Sequence, residues 1–364
     1  MELRVSRKEL LMELTPMLGI VERKTTLPIL SQVVLSASGA KIHLAATDLD
    51  VSLTSWCEAE VVRAGGIAIQ AKKLVEIIRS IEGEEILLAL EGPRLLSVRA
   101  GTSRFKIHGL VAEDFPSLPE TPGRVAEIDF ESFRRVVAKV FFAVSAEESR
   151  YQLNGALLKL KNGSLEMVAT DGHRMALIEI SVDGTKEDNP VLIPRKALQE
   201  IQRFEGKGNL VYGRGENHLS FALGRRELIC RILEGTFPDY DRVILKENPE
   251  RPIFDRRALS AAVQRASLMT GDRARSVRLQ VDSERAVITA VNSDLGEAVE
   301  EVACEYDGAG MRLGLNPEYL RQALEASDLP SVCLELKDEN TQCIVVPQGG
   351  PDVRDLCVIM PMRV

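Results

Sequence analysis

Aromatic residues are scarce in this chain: 10 Phe, 5 Tyr and 1 Trp among 364 residues. That is too few for a platform on which successive bases of a single strand could stack. Only four histidines occur, at 43, 108, 173 and 218, and none stands at metal-ligand spacing, so no metal is expected. The six cysteines, at 57, 230, 304, 333, 343 and 357, include no pair at the close two-residue spacing of a zinc or redox motif. Most lie in apolar, strand-like runs and are expected to be reduced structural thiols, which fits a reducing compartment. The glycines at 308, 310 and 314 miss the dinucleotide fingerprint by one residue and open no phosphate loop, so no cofactor is implied. There is no run of about 18 apolar residues to span a membrane. The opening stretch MELRVSRKELLMEL is charged from its second residue and lacks the apolar core of a signal peptide. The expectation is a cytoplasmic protein.

What is present fits a globular chain, with 45% hydrophobic and 27% charged residues. Its length exceeds one ordinary core and implies two or three domains. The net charge of −8 argues against a protein that holds nucleic acid by bulk electrostatics.

The chain repeats itself three times, and the repeat decides the fold class. LRVSRKELLMEL from Leu3, IDFESFRRVVAKV from Ile128 and IFDRRALSAAVQRA from Ile253 each read as a short strand, a Ser or Asp cap, and apolar residues at helical spacing. Some forty residues on, IHLAATDLD, LEMVATDGH and AVITAVNSD each read as a strand ending in a turn. A second strand–helix pair follows in IAIQAKKLVEII, VLIPRKALQEI and RLGLNPEYLRQAL. Each third closes in β-rich sequence. Proline-rich polar stretches near 116–127 and 245–252 separate the thirds. The reading is three similar α+β domains, 1–120, 127–247 and 251–364, each made of two β-α-β-β-β halves. Units of this kind bury one face against their neighbours and propagate or close into a ring.

Positive charge concentrates in the helical segments. Residues 7–14 sum to zero, 71–80, 130–142, 194–204 and 255–266 carry +2 each, and 317–325 carries −1. If these helices share one surface, that surface can follow a phosphate backbone. No helix–turn–helix, zinc finger or base-reading helix is evident, so any DNA contact is sequence-independent.

Two stretches stand out. VATDGHRMALIEI, residues 168–180, brings Asp171, His173 and Arg174 together. In the repeat register it matches ATDLDV and AVNSDL, which makes Asp171–Gly172 a hairpin turn. No nucleophile with an orienting partner accompanies it, so catalysis is not expected. The end of the chain, CVIMPMRV, is unusually apolar. Val358 and Ile359 read as a last core strand, Pro361 stops it, and Met360 and Met362 fall at an edge or surface suited to varied partners. Pro16 is expected to end or kink the first helix.

The threefold repeat, ATDGHR, FPDY (237–240), LPIL (27–30), YQLNG (151–155) and VIMPMR together resemble the bacterial DNA polymerase III beta subunit family over the whole chain. The resemblance implies a clamp fold: a head-to-tail homodimeric ring of six domains, helices lining the hole and sheets outside. It implies a non-catalytic processivity factor that encircles double-stranded DNA. Polymerases, the clamp loader and repair proteins would dock through short peptide motifs. A partner-peptide pocket would then comprise Leu153, Thr170, Gly172, His173, Arg174, Met175, Pro238, Arg242, Val243, Tyr319, Val358, Met360, Pro361, Met362 and Arg363. Met175 stands where relatives often carry leucine, a volume-conserving exchange. Lys24, Arg79, Tyr151, Gln152, Lys196 and Arg275 would face DNA. Lys73, Arg104 and Phe105 would meet Leu268, Met269, Glu297, Glu300 and Glu301 of a second copy. An acid–base site at Asp171–His173 and an open repeat scaffold are the competing readings; the first predicts turnover, the second a monomer or filament.

Overall fold

A computed structural model describes residues 1–22, 25–147, 149–161, 163–182, 188–245, 247–271, 276–350 and 354–363. Two of the expected DNA-facing cations, Lys24 and Arg275, lie outside the described residues.

Among the described residues there are six α-helices, each following a strand with at most one residue between: α1 (Arg7–Ile20), α2 (Ala71–Ser80), α3 (Phe130–Phe141), α4 (Arg195–Gln202), α5 (Arg256–Ser267) and α6 (Pro317–Ala326). The caps are those the repeat predicts. Ser6 Oγ accepts from Glu9 N, Asp129 Oδ2 from Ser132 N, and Asp255 Oδ1 from Ala258 N at 2.7 Å. Each satisfies a donor that the first helical turn leaves free.

The helices pack on two twelve-stranded antiparallel sheets, one in each of two compact units. The first unit is 1–134 with 196–232, and the second is 135–195 with 233–364. The middle third of the sequence thus contributes to both sheets. Its strand Arg226–Arg231 joins the first third through pairs from Glu227↔Thr54 to Cys230↔Val51. Its strand Arg174–Ser181 joins the last strand, Asp355–Ile359, through pairs from Arg174↔Ile359 to Ile178↔Asp355. Backbone ladders satisfy edge groups wherever two strands meet, whatever repeat each belongs to.

In the first unit α1 buries Leu10, Leu14, Met17 and Ile20, one helical stripe, and packs on α2. In the second, Leu259, Ala262 and Val263 of α5 and Leu320 and Leu324 of α6 share a core with Leu279, Ile288 and Leu313 of the sheet. A separate apolar cluster contains Leu157, Val168, Met175, Leu177, Ile344 and Val358. Neighbouring residues of the last strand alternate between the two clusters: Cys357 and Ile359 join the helix-side core, Val358 the other. All six cysteines are free and buried. Burial pushes the Cys57 and Cys357 thiols up to about 12 and Cys333 to about 11, so they are poor nucleophiles at neutral pH.

The expectation that Pro16 ends or kinks α1 needs correcting in part: the helix runs on to Ile20. Proline has no N–H for the carbonyl four residues earlier, which here is Met12. That carbonyl accepts instead from Arg226 Nη2 at 3.0 Å. The same guanidinium pairs with buried Glu13 (Nε–Oε2 2.8 Å), and the Ser55 hydroxyl also donates to Glu13. A tertiary donor replaces the missing helical one.

Helix charge is also partly internal, which sequence counting could not reveal. Lys139 of α3 is only 7% exposed and binds Asp355 at 2.9 Å and Asp328 at 3.4 Å. Arg7 donates to the Ile78 and Arg79 carbonyls ending α2, and Arg256 to Leu324 in the last turn of α6 and to Leu329 just beyond it. Arg7 and Arg256 answer the negative ends of α2 and α6.

Candidate partner-docking site

The Asp171–His173–Arg174 stretch is a turn with a locked arginine. Asp171 Oδ1 accepts from His173 N at 2.9 Å and Arg174 N at 3.0 Å, and Thr170 Oγ1 accepts from Gly172 N. Gly172 has φ +88°, a left-handed conformation that costs glycine nothing. The second carboxylate oxygen of Asp171 receives Arg174 Nε at 3.0 Å. Arg174 Nη2 donates to the Phe142 carbonyl at 2.6 Å, Nη1 donates to Gln322 Oε1, and the guanidinium stacks 4.3 Å from the Tyr319 ring centroid. Arg150 Nη1 holds the Asp171 carbonyl at 2.6 Å. Both oxygens of Asp171 are thus engaged by donors within the fold. The turn holds its shape, and the His173 side chain lies exposed at its tip.

The chain's end completes this wall. Met175 pairs with Val358 in the sheet, and both are buried at 3% and 0% exposure. Met360 N donates to the His173 carbonyl and Met362 N to the Gly314 carbonyl at 2.8 Å, so the tail runs on past the last strand. Met360 and Met362 remain 42% and 36% exposed, and Pro361 is half-buried. Met175 and Val358 thus form one buried cross-strand pair, the two methionines of the tail lie exposed beyond it, and Tyr319 stacks on the same Arg174.

Residues 237–244 adjoin the same cluster. Phe237, Tyr240 and Ile244 pack on the Met175–Val358 cluster. The Tyr240 hydroxyl donates to Glu166, and Lys159 reaches the same phenol oxygen. Burial, then Glu166, pushes the phenol up from its ordinary range. Arg354 bridges Glu166 at 3.1 Å and Asp241 at 3.0 Å. This fixes the loop bearing exposed Pro238, Arg242 and Val243; Arg242 pairs with Asp239, and the Val243 carbonyl accepts from Gln342. Leu153 is buried in the turn Tyr151–Leu153. Sequence reading missed Phe142 and Gln322, which aim Arg174. It also missed Phe237 and Tyr240, although the FPDY stretch displayed both.

The remaining expected sites are less uniform. Tyr151 and Gln152 are exposed, and so is Arg79 at the end of α2. Lys196 is engaged internally, its ammonium bound to Asp48 and to the Ile20 carbonyl. In the first unit, Arg104 and Phe105 lie on Ser103–His108, an edge strand of the sheet, and Lys73 pairs with Glu76. In the second, Leu268 is 75% exposed, while Glu300 pairs bidentately with Arg265 and Glu301 with Arg285. Glu297 is exposed, and Met269 packs on the helix-side core. Val291, Leu295 and Val299 are also mostly exposed and went unnoticed in the sequence. The strand Gly296–Glu305 pairs with Ile253–Asp255 only at Cys304 and Glu305, so its other residues have a strand on one side alone.

Among the described residues no helix is long and apolar enough to cross a membrane, and no group of three or more His, Cys, Asp or Glu could hold a metal ion.

The sequence matches the N-terminal, central and C-terminal domains of the DNA polymerase III beta subunit over residues 1–119, 127–239 and 241–363. Beta sliding clamps of Pseudomonas putida and Caulobacter vibrioides are 34% and 35% identical, with both chains covered completely. The crystal structure of the DNA polymerase III subunit beta from Pseudomonas aeruginosa superposes with a TM-score of 0.94 at 34% identity over all of both chains. A sliding clamp from Bartonella birtlesii, solved bound to griselimycin, gives 0.94 at 31%. Identity of this extent, uninterrupted from end to end and matched by the fold, places the chain in the DNA polymerase III beta subunit family.

Proposed function

We propose that this chain is a cytoplasmic sliding clamp, a non-catalytic processivity factor that encircles duplex DNA and tethers replication and repair proteins to it. The observation that carries the reading is the full-length likeness to beta sliding clamps. Three domains, 1–120, 127–247 and 251–364, would form each protomer, and two protomers would close head to tail. The edge strand bearing Arg104 and Phe105 would meet the half-paired strand bearing Glu297, Glu300 and Glu301 of a second copy, with Leu268 and Met269 beside it. Open edges are prone to such pairing, and a heterologous contact closes when the rotation allows. Exposed Val291, Leu295 and Val299 support an apolar contact there.

DNA would be held by topology, so strong affinity is unnecessary and a net charge of −8 is no obstacle. Lys24, Arg79, Tyr151, Gln152, Lys196 and Arg275 are the proposed contacts. Lys196 would have to leave Asp48 to reach a phosphate, so Arg79 is the stronger candidate. Partner peptides would dock over the buried Met175–Val358 pair, between Met360, Pro361, Met362 and Arg363 on one side and Pro238, Arg242 and Val243 on another. Leu153, Thr170, Gly172, His173, Arg174 and Tyr319 would complete the wall. Two or three apolar anchors at roughly 1.5–3 kcal/mol each leave about micromolar affinity after association costs, suited to partners that exchange.

The test is retention after loader-assisted assembly on a nicked circle, compared with the same DNA linearised. Retention through high salt on the circle, and loss once an end exists, is expected. Equal stripping from both overturns encirclement. Deleting Met360–Val364 should abolish peptide binding while the dimer persists; a dissociated dimer contradicts the pocket assignment.

A further inference from the structure

Beyond the Met175–Val358 pair, the tail runs along a strongly cationic groove of about 800 Å³. Arg278, Arg312 and Arg363 line it, with Pro361, Met362 and Gly314. In the sheet Arg278 pairs with Gly314 and Gln280 with Arg312. The two arginines are therefore diagonal neighbours on one face. Their strand neighbours Leu279 and Leu313 point the other way, into the core under α5 and α6. The bond from Met362 N to Gly314 O sets Arg363 beside them.

Among the described residues, none of the three guanidinium groups has an ion-pair or hydrogen-bond partner, whereas Arg265 and Arg285 nearby in sequence are matched by Glu300 and Glu301. Among the described residues, Glu339 is the one acid lining the groove. Three unpaired arginines in one groove, in a chain of net charge −8, mark a place built for negative charge.

We infer that this groove receives acidic residues flanking the apolar docking segment of a partner peptide. The inference rests on the docking reading above and deepens it. Continuity selects the occupant: Pro361 and Met362 belong both to the docking wall and to the groove, so a peptide leaving the Met175–Val358 pair along the tail enters it directly. Duplex DNA is the less favoured occupant, because the groove lies on the sheet face opposite α5 and α6. The arginines act as a selector, adding affinity for acidic flanks and lowering it for basic ones.

The experiment uses the full chain and fluorescein-labelled peptides presenting three apolar anchors, two leucines and a phenylalanine spaced by serines, with Gly-Ser-Gly-Ser or Asp-Glu-Asp-Glu before or after them. On the wild type, one acidic flank should tighten binding roughly three- to tenfold over the neutral one, with the gain shrinking at 0.5 M NaCl. Arg278→Ala/Arg312→Ala should remove that gain and leave the neutral peptide's Kd unchanged. If the neutral peptide binds and neither acidic flank helps, or if the gain survives the double variant, the inference fails while the docking reading stands. If no peptide binds, both fall. A double variant that keeps its preference for acidic peptides but loses affinity for linear duplex DNA would assign the groove to phosphate and overturn the inference.

Discussion

The turns Thr47–Val51 and Thr170–Arg174 share one skeleton. In each, threonine Oγ1 accepts from the amide two residues on: Leu49 at 3.0 Å, Gly172 at 3.1 Å. In each, aspartate Oδ1 accepts two further amides: Asp50 and Val51, or His173 and Arg174. Both turns place a residue at positive φ, +81° for Leu49 and +88° for Gly172. They differ in what the second carboxylate oxygen holds. Asp48 holds Lys196, whereas Asp171 holds Arg174, which continues to Phe142, Gln322 and Tyr319. At the third turn Asn292 Oδ1 accepts the amides of Asp294 and Leu295, and the amide has no second oxygen to offer a cation. The repeat preserves the turn; the cation that each second oxygen can recruit makes the sites unlike.

The largest test of that contrast is Arg174→Ala. It leaves Asp171, 17% exposed, without its cation and frees the Phe142 carbonyl, so a loss of about 3–5 kcal/mol is expected. A lowered urea midpoint with loss of peptide binding would confirm it; unchanged binding would show that Arg174 is not needed to shape the docking wall.

Gly172→Ala comes next. Its new Cβ would sit 2.6 Å from Arg150 Nη1 at a φ that strains any other residue, for a cost of about 1–3 kcal/mol. Lys196→Met should cost less, about 1 kcal/mol, because its side chain is one-third exposed and solvent shares the load. The companion measurement is DNA retention: little change is expected, since the ammonium is already bound to Asp48. A large loss of retention would restore Lys196 as a principal DNA contact.

Leu49→Gly should go the other way, raising the thermal midpoint slightly or leaving it level. It relieves up to about 1 kcal/mol of backbone strain, and the greater freedom of unfolded glycine offsets part of this. A clear drop in the midpoint would mean that the exposed Leu49 side chain makes contacts worth more than the strain.

The sequence by itself determined the local layer of this protein. Cap residues at Ser6, Asp129 and Asp255, the strand–helix alternation, the three Asx turns and the end of the last strand near Pro361 each depend on a few neighbouring residues. Their hydrogen-bond partners lie within a few positions along the chain. The whole-chain resemblance pointed to Met175, Val358 and Met360; the sheet register pairs Met175 with Val358, and Met360 N bonds the His173 carbonyl just past the strand. What only the tertiary structure decided involves partners distant in sequence. Arg226 lies 214 residues from the Met12 carbonyl that Pro16 cannot bond, so no local rule could show that the helix survives its proline. Lys139 and Lys196 read as surface charge in a helical pattern, yet Asp355 and Asp48 claim them across 216 and 148 residues. The three arginines beside the tail converge because Arg278 and Arg312 share one face of paired strands and the tail brings Arg363 alongside. Charge counted along the chain gives composition; which charges are free to act is set by the pairings that folding makes.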